Sequence, residues 1–213
     1  DPLGRPIQAS YGIAGDTAVL EMAAASGLPL LHVDERNPWV TSTFGTGEMI
    51  MDAIARGCRK FLVGIGGSAT NDAGMGMLQA MGFRFYDTNN ELITTGSGGV
   101  LGTIARIDDS LVSTAVKESV FIVACDVDTP FCGPNGAAPV FAPQKGADVD
   151  MVSLLDDGMA SFARVIEKKY AINVVSVAGA GAAGGMGGAF LAFLSATLKK
   201  GVDMVLDAID FDT

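Results

Sequence analysis

The chain has 213 residues, of which 49% are hydrophobic and 18% charged, and it carries a formal net charge of −10 with a pI near 4.4. This length suits one domain or a domain and a half. The negative charge argues against a nucleic-acid partner, which needs a field of Lys and Arg, and no apolar run reaches membrane-spanning length, so we expect no membrane partner. Three cysteines without metal-binding or disulfide spacing are typical of a reduced, cytoplasmic setting.

Strands and helices are predicted to alternate along the first half of the chain. They are, in chain order, strands over 11–13 and 18–22, a helix over 46–59, a strand over 61–65, a short helix over 75–81 and a strand over 83–86. Ile50, Ile54 and Cys58 give the first helix its apolar face. Its predicted N-cap is Thr46. The first two strands lie on either side of a turn at Gly15, so we expect an antiparallel hairpin there.

The second half continues the same alternation. Its predicted elements are a glycine-rich loop over 96–102, a strand over 120–125, a long amphipathic helix capped by Asp148, a strand over 172–177 and an apolar helix over 186–200. Strands that alternate with helices favour parallel pairing, whereas the early hairpin is antiparallel. The predicted fold is therefore α/β, with a mixed, partly parallel sheet and flanking helices. The last helix is either core or a contact surface of a homo-oligomer.

The most informative segment is 61–76, FLVGIGGSATNDAGMG, in which an apolar strand runs directly into glycines and polar residues. Its candidate ligand-binding residues are Gly66, Gly67, Ser68, Thr70, Asn71 and Asp72. Glycines bring backbone N–H groups close to a ligand, and the helix start that follows offers unpaired donors, so we expect an anionic ligand. The alternative is a tight strand-to-helix connection in which Asn71 or Asp72 is an N-cap.

Three further groups of residues each allow a binding and a structural interpretation. Thr43, Gly45 and Thr46 would present hydroxyl and N–H groups to a phosphate, or Thr46 would cap its own helix. Asp126, at the end of an apolar strand, would coordinate Mg²⁺ or accept a hydroxyl proton, or it would form an Asx turn. Lys145 would place a point charge on a phosphate or a carboxylate, or it would be a solvated loop residue.

A second function class is suggested by the segment 179–184, GAGAAG, which matches the dinucleotide-binding pattern G-x-G-x-x-G after a predicted strand. This match allows an NAD-binding oxidoreductase domain. It comes late in the chain rather than in the first strand-helix-strand unit, so close packing of a glycine-rich helix start on the sheet is favoured, with the loop beside the cleft. The sequence has neither a Walker A nor an H-R-D pattern, which excludes P-loop and protein-kinase chemistry.

Five separated blocks follow one another in a distinctive order: TSTFGTGE over 41–48, GIGGSATNDAGMG over 64–76, VACDV over 123–127, FAPQKGA over 141–147 and AGAGAAGG over 178–185. Together they resemble the type I glycerate kinase family over nearly all of the chain. The resemblance implies the fold of that family's second domain, with residues 1–213 as a single central α/β domain. Family members also have an amino-terminal segment with a PDSFKG motif and a carboxy-terminal segment with a TGEGR motif, which form a partner domain and are missing from this sequence.

The resemblance implies an enzyme that transfers the γ-phosphoryl group of ATP to a hydroxyl of D-glycerate, with Mg²⁺ as the metal and 2-phosphoglycerate as the favoured product. It implies catalytic roles for Asp126 and Asp72, with Asp126 also as a metal ligand. The substrate and phosphate ligands it implies are Thr43, Gly45, Thr46, Gly66, Gly67, Ser68, Thr70, Asn71, Lys145, Gly181 and Gly184. Without the missing segments the fragment is expected to be inactive, and a third interpretation is a binding or structural module without activity.

Overall fold

The computed structural model describes residues 1–201. Its strands are β1 (Gly12–Ala14), β2 (Thr17–Glu21), β3 (Lys60–Gly64), β4 (Arg84–Asp87), β5 (Leu92–Ile93), β6 (Ile104–Asp108), β7 (Val120–Ala124) and β8 (Thr197–Lys199). Its α-helices are α1 (Ala23–Ser26), α2 (Phe44–Ala55), α3 (Met75–Ala80), α4 (Thr114–Lys117), α5 (Ala137–Phe141), α6 (Val149–Tyr170) and α7 (Ala182–Leu194). Short 3₁₀ turns lie at Leu28–Leu30, Val33–Glu35, Gly98–Thr103 and Pro143–Lys145. Within these residues no helix is both long and apolar enough to cross a membrane.

A five-stranded sheet in the order β1-β2-β3-β7-β8 forms the main layer of the fold. β1 and β2 form the predicted antiparallel hairpin, and the pairs β2-β3, β3-β7 and β7-β8 are parallel. The prediction of an α/β fold with a mixed, partly parallel sheet is therefore confirmed. The last residues of the four parallel strands, Glu21, Gly64, Ala124 and Lys199, are partners across the sheet. The loops that follow these strands consequently leave from one edge, where they can share a cleft.

Stacked aromatic rings hold the centre of this sheet. Phe61 on β3 and Phe121 on β7 are partners in register, and their rings stack with centroids 4.8 Å apart. Phe190 of α7 packs on Phe121 with centroids 5.8 Å apart. All three rings are buried, and each contributes about 1.5–3 kcal/mol relative to an exposed side chain. This packing fixes the relative positions of β3 and β7, from which the two loops of the site depart.

A second layer consists of the antiparallel sheet β5-β4-β6 and the long helix α6. Asp148 is the N-cap of α6, as predicted, and its side chain accepts a hydrogen bond from Met151 N at 2.8 Å. Helical spacing places a fully buried stripe on α6, formed by Leu155, Met159, Phe162 and Ile166. Phe162 meets Phe85 of β4 edge-on, with centroids 5.8 Å apart. Amphipathic periodicity therefore predicted this helix, although Leu154, which the same periodicity places inward, is exposed.

Two predicted elements near the end of the described residues are wrong. Residues 172–177 form no strand, and the side chain of Asn173 instead accepts a hydrogen bond from Val175 N. The helix predicted over 186–200 ends at Leu194, where Ser195 adopts left-handed backbone and the chain turns into β8. β8 pairs in parallel with β7. Pairing with a neighbouring strand thus decides the structure of this apolar run, which local pattern alone leaves ambiguous.

The helix predicted over 46–59 is α2, and it begins before Thr46. Thr46 is not its N-cap: the hydroxyl lies inside the protein, 2.8 Å from Ser26 Oγ. Thr43 occupies the N-cap position, but its side chain makes no capping hydrogen bond to its own helix and contacts Asp72 instead. The polar residues at this helix start therefore tie α2 to neighbouring segments.

Candidate functional site

A cleft of about 320 Å³ opens at the carboxyl edge of the main sheet. It lies between the loop after β3, residues 65–68, and the loop after β7, residues 125–127, and it is completed by the turn after α5 and the start of α7. Its polar lining side chains are Ser68, Asp126, Gln144 and Lys145. A cleft of this volume suits a small molecule, and it lies at the end of the strands where α/β sheets bind ligands.

Three consecutive residues after β3, Gly66, Gly67 and Ser68, line this cleft. In the part of the chain that the structure describes, no hydrogen bond formed outside helices and strands uses their three backbone N–H donors. Gly67 has a φ of +73°, a conformation that favours glycine. At Gly66 an added Cβ would meet no atom within 4 Å. Packing therefore does not require a glycine at Gly66, and the missing side chain leaves open space beside the three donors.

Lys145 adds a buried positive charge to this part of the cleft. Its side chain is only 1% exposed, and Nζ donates to Ser68 Oγ at 2.7 Å and to the carbonyl oxygen of Thr70 at 2.6 Å. An ammonium has three donors, so one is left. The ion pairs formed among residues 1–201 do not include Lys145. We call the N–H groups of residues 66–68 and the Lys145 ammonium the cradle.

Burial governs the protonation of this lysine. Because desolvation penalises the charged form, it lowers the pKa of Lys145 from 10.5 to about 7, and the negative charge of Asp72 opposes this effect. A lysine that lines a cleft with so low a pKa is costly for the fold. Groups with such perturbed pKa values concentrate at functional sites. Here the buried lysine places a positive charge at the wall of the cleft.

Asp126 faces the same cleft from the end of β7. It is exposed, and its Oδ1 accepts a hydrogen bond from Gly201 N at 2.7 Å. Among the described residues no three His, Cys, Asp or Glu side chains gather to hold a metal ion. Burial raises the pKa of the adjacent Cys125 thiol, which disfavours the nucleophilic thiolate.

Asp72 lies behind the cleft rather than in it, and it is fully buried. Its carboxylate accepts hydrogen bonds from Thr43 N at 2.9 Å, Gly76 N at 3.1 Å and Gly74 N at 3.2 Å. It also accepts from Thr43 Oγ1 at 2.8 Å. That hydroxyl accepts from Met77 N at 2.9 Å, so its proton points to Asp72. Asp72 thus joins the start of α3 to the start of α2.

Four donors and no acceptor surround the carboxylate of Asp72, which fixes its charge. Burial raises the pKa of Asp72 above its ordinary value, and the hydrogen bonds from Thr43, Gly76 and Gly74 offset part of this effect. A protonated carboxyl would have to turn its single O–H towards one of these donors. The geometry therefore belongs to the ionised form, which makes Asp72 a buried anion.

The remaining polar candidates after β3 are also buried. Thr70 and Asn71 are fully inaccessible, and Thr70 Oγ1 and Asn71 Oδ1 have no hydrogen-bond partner in the structure. The amide nitrogen of Asn71 donates to the sulfur of Met159 at 3.2 Å. The carbonyl oxygen of Thr70 accepts a hydrogen bond from Lys145 Nζ, so this buried segment holds the lysine of the cradle in place.

Thr43, Gly45 and Thr46 do not join the cleft. Thr43 and Thr46 are buried, at Asp72 and at Ser26 respectively. Gly45 lies on the other side of α2, in a separate cavity lined by the first residues of the chain. The structure therefore brings Gly66, Gly67, Ser68, Asp126 and Lys145 together and leaves these three apart.

The glycine-rich segment before α7 packs against the loop after β3. A Cβ at Gly181 would lie 2.1 Å from the carbonyl oxygen of Pro130, and one at Gly184 would lie 2.1 Å from that of Thr70. Gly184 also has a φ of +67° and accepts a hydrogen bond from Ala73 N at 3.0 Å. No strand precedes this segment, and a dinucleotide fingerprint needs one. The alternative of an NAD-binding domain is not supported.

The sequence analysis missed several residues of the cleft. They are Leu28, Phe141, Gln144, Ala182 and Ala183. Gln144 is adjacent to Lys145 in the FAPQKGA block, so its position in that block was an available signal. Leu28 and Phe141 look like ordinary core residues in the sequence, and only the tertiary structure brings them to the cleft.

A mostly parallel sheet with a cleft of small-molecule size at its carboxyl edge defines this chain as an α/β domain with a candidate ligand site. The chain belongs to the glycerate kinase family, because the sequence model of the Glycerate kinase family matches residues 1–213.

Individual relatives agree with this assignment. The chain is 50% identical over 214 residues to a glycerate kinase of Bacillus subtilis (strain 168), and 48% identical over 213 residues to a glycerate 2-kinase of Escherichia coli (strain K12). These matches cover 100% and 99% of this chain and 56% of each relative. A crystal structure of a putative glycerate kinase 2 from Salmonella typhimurium LT2 matches with a TM-score of 0.94 and 44% identity, over 98% of this chain and 56% of that one. The chain spans about half the length of the curated relatives it matches.

Proposed function

We propose that this chain is the central domain of an ATP-dependent glycerate kinase and supplies the part of its active site that holds the acceptor substrate. The observation that carries the proposal is the cradle, in which, among residues 1–201, a buried ammonium without an ion pair lies beside three N–H groups without an acceptor outside helices and strands. The relatives named glycerate kinase support the substrate. Because those relatives are about twice as long, we expect turnover only in the complete polypeptide.

The cradle suits this reaction because both substrates are anions. Backbone N–H groups and an ammonium in a partly desolvated cleft bind a carboxylate or phosphate with charge-assisted hydrogen bonds. The net charge of the protein is −10, so the rest of its surface repels anions, and the cradle provides local positive charge against this field. A local concentration of donors is therefore what an acidic protein needs to bind glycerate or ATP.

Asp126 is the residue we assign to the acceptor hydroxyl. Its exposed carboxylate faces the cleft that the cradle lines, so it can accept the proton of the hydroxyl as that oxygen bonds to phosphorus. The E. coli relative named glycerate 2-kinase favours the 2-hydroxyl and 2-phosphoglycerate. Mg²⁺ fits the same residue, because this ion is commonly held by one or two carboxylates together with phosphate oxygens. It would neutralise phosphate charge there. We place the reaction in the cytoplasm, where ATP is available.

The remaining predicted residues take supporting roles in this proposal. Gly181 and Gly184 allow the loops to pack closely. The carbonyl oxygen of Thr70 accepts a hydrogen bond from Lys145. Thr43 and Asn71 hold the segment after β3 in place. Gly45 and Thr46 lie away from the cleft, so we assign them no contact with the acceptor substrate.

The proposal is tested with a coupled kinase assay on the full-length polypeptide that carries this sequence. Asp126→Asn should lower kcat by about 10²-fold or more. Asp128→Asn is the matched control, because Asp128 is an exposed acidic residue of the same loop that does not line the cleft. Equal rates for both variants and the wild type would show that Asp126 has no catalytic role.

Binding to the 213-residue chain distinguishes the functional alternatives. Isothermal titration with D-glycerate, with Mg-ATP and with NAD should give heat with glycerate or Mg-ATP. Heat with NAD alone would favour the oxidoreductase interpretation, and heat with none of the three would leave a structural module.

A further inference from the structure

We infer that Asp72 is a positioning residue whose buried charge favours the charged form of Lys145, so that the cradle can bind an anion that Asp72 itself never touches. This inference rests on the proposed role of Lys145 as an anion ligand. It gives Asp72 a role that differs from the direct catalytic one suggested by the sequence.

The two groups carry opposite charges and are buried in the same part of the molecule, each with hydrogen-bond partners that are themselves uncharged. Asp72 and Lys145 are 0% and 1% exposed, and neither forms an ion pair among residues 1–201. An isolated buried charge is far costlier than one with a counter-charge nearby. The surrounding donors show that Asp72 is ionised, so its charge is available to offset that of Lys145.

Covalent and hydrogen-bonded links hold the two charges at a fixed separation. Lys145 Nζ donates to the carbonyl oxygen of Thr70, two residues before Asp72. The carboxylate of Asp72 is held by the donors that tie it to α2 and α3, and the next residue, Ala73, donates its N–H to Gly184 O. Neither charge can approach or leave without disrupting this segment. The coupling is therefore a built-in property of the loop after β3.

Other charged groups around Lys145 do not replace Asp72. Asp126 faces the cleft from β7 and is exposed to solvent, which screens its charge. Arg36 meets Gly146, which follows Lys145, only through its backbone and Cβ. Asp72 is the group whose charge raises the pKa of Lys145 against the effect of burial.

The consequence is a defined pH range for anion binding. With Asp72 present, Lys145 loses its proton near neutral pH, and anion affinity should fall as pH rises through that pKa. Without the negative charge, the same loss should occur at lower pH, because desolvation then acts unopposed. The inference therefore concerns the pH profile and not merely the level of binding.

The first experiment measures the titration of Lys145 directly. In chain labelled with ¹³C at the lysine side chains, the signal of the carbon next to Nζ is followed from about pH 5 to about pH 10 in wild type and in Asp72→Asn. The expected result is a midpoint lower by about one pH unit or more in the variant. Asp16→Asn is the matched control, since Asp16 directly precedes β2, at the opposite edge of the main sheet from the cleft, and should leave the midpoint unchanged. An unchanged midpoint in Asp72→Asn would overturn the inference.

A reciprocal variant covers the case in which Asp72→Asn does not fold. Coupling between two titrating groups is mutual, so Lys145→Met should raise the pKa of Asp72, measured from the ¹³C signal of its carboxylate. No change in that pKa would overturn the inference independently.

A parallel titration with D-glycerate and with inorganic phosphate separates this inference from the proposed function. The affinity for the anion that the cradle takes should fall at lower pH in Asp72→Asn than in wild type. If the lysine midpoint shifts but neither anion binds any form of the chain, the charge coupling stands and the assignment of the cradle to anion binding fails.

Discussion

Lys145→Met should stabilise the chain at acid pH and abolish anion binding, because the wild-type residue keeps a charge in a desolvated position. The pKa of Lys145 falls from 10.5 to about 7, and this difference of about 3.5 corresponds to about 5 kcal/mol. Below about pH 7 the folded protein bears this full cost. Met removes the charge but leaves the Thr70 carbonyl without its donor, which costs about 1–3 kcal/mol. The net gain at about pH 6 is a few kcal/mol.

The pH dependence has a definite sign. Between about pH 7 and about pH 10.5 the unfolded chain holds a proton on Lys145 that the folded chain has released, so the stability of the wild type rises with pH. From about pH 6 to about pH 9 the wild type should gain about 3 kcal/mol relative to Lys145→Met. Urea unfolding of both proteins at the two pH values measures this change. A stability difference independent of pH would refute the reasoning, because it would mean that Lys145 titrates normally.

Three other substitutions test individual parts of the structure. Gly66→Ala should change the free energy of unfolding by less than about 0.5 kcal/mol, because its Cβ meets no atom, but it should weaken glycerate or phosphate binding. Gly12→Ala, at a position on β1 with equally open space, is the control and should leave both stability and binding unchanged. Gly184→Ala should lower the unfolding free energy by about 2 kcal/mol or more, since its Cβ would collide with the Thr70 carbonyl at a left-handed φ; equal stability would contradict this reason. Phe162→Ala should lower it by about 3–5 kcal/mol in the same urea assay, and a loss under about 1 kcal/mol would show that α6 is not packed as described.

Local signals were enough to predict the elements that position the site. The apolar run over 61–65 predicted β3 because a buried parallel strand reads as a continuous hydrophobic segment. Asp148 and the apolar stripe behind it predicted α6, because capping and helical spacing are both encoded within a few residues. The carboxyl edge as the place of the cleft followed from the order of strands and glycine-rich turns. Each of these inferences needed only neighbouring residues.

Elements that depend on distant partners were predicted wrongly. The run that contains β8 is apolar and is compatible with both a helix and a strand. It forms a strand because it pairs in parallel with the edge of β7. Thr46 has the residue type and position of an N-cap, but Ser26 takes its hydroxyl. In both cases the competing partner lies far away in the sequence, so no local pattern could reveal it.

The roles of the polar residues after β3 show the same limit at the level of chemistry. Ser68 and Asp72 belong to one short segment, and the sequence gives no reason to separate them. In the fold, Ser68 turns towards the cleft because Lys145, 77 residues away, donates to its hydroxyl. Asp72 turns away because Thr43 and the start of α3 offer it four donors. The direction of each side chain is set by the partner that satisfies it, and that choice decides which residue meets a ligand and which one acts through another.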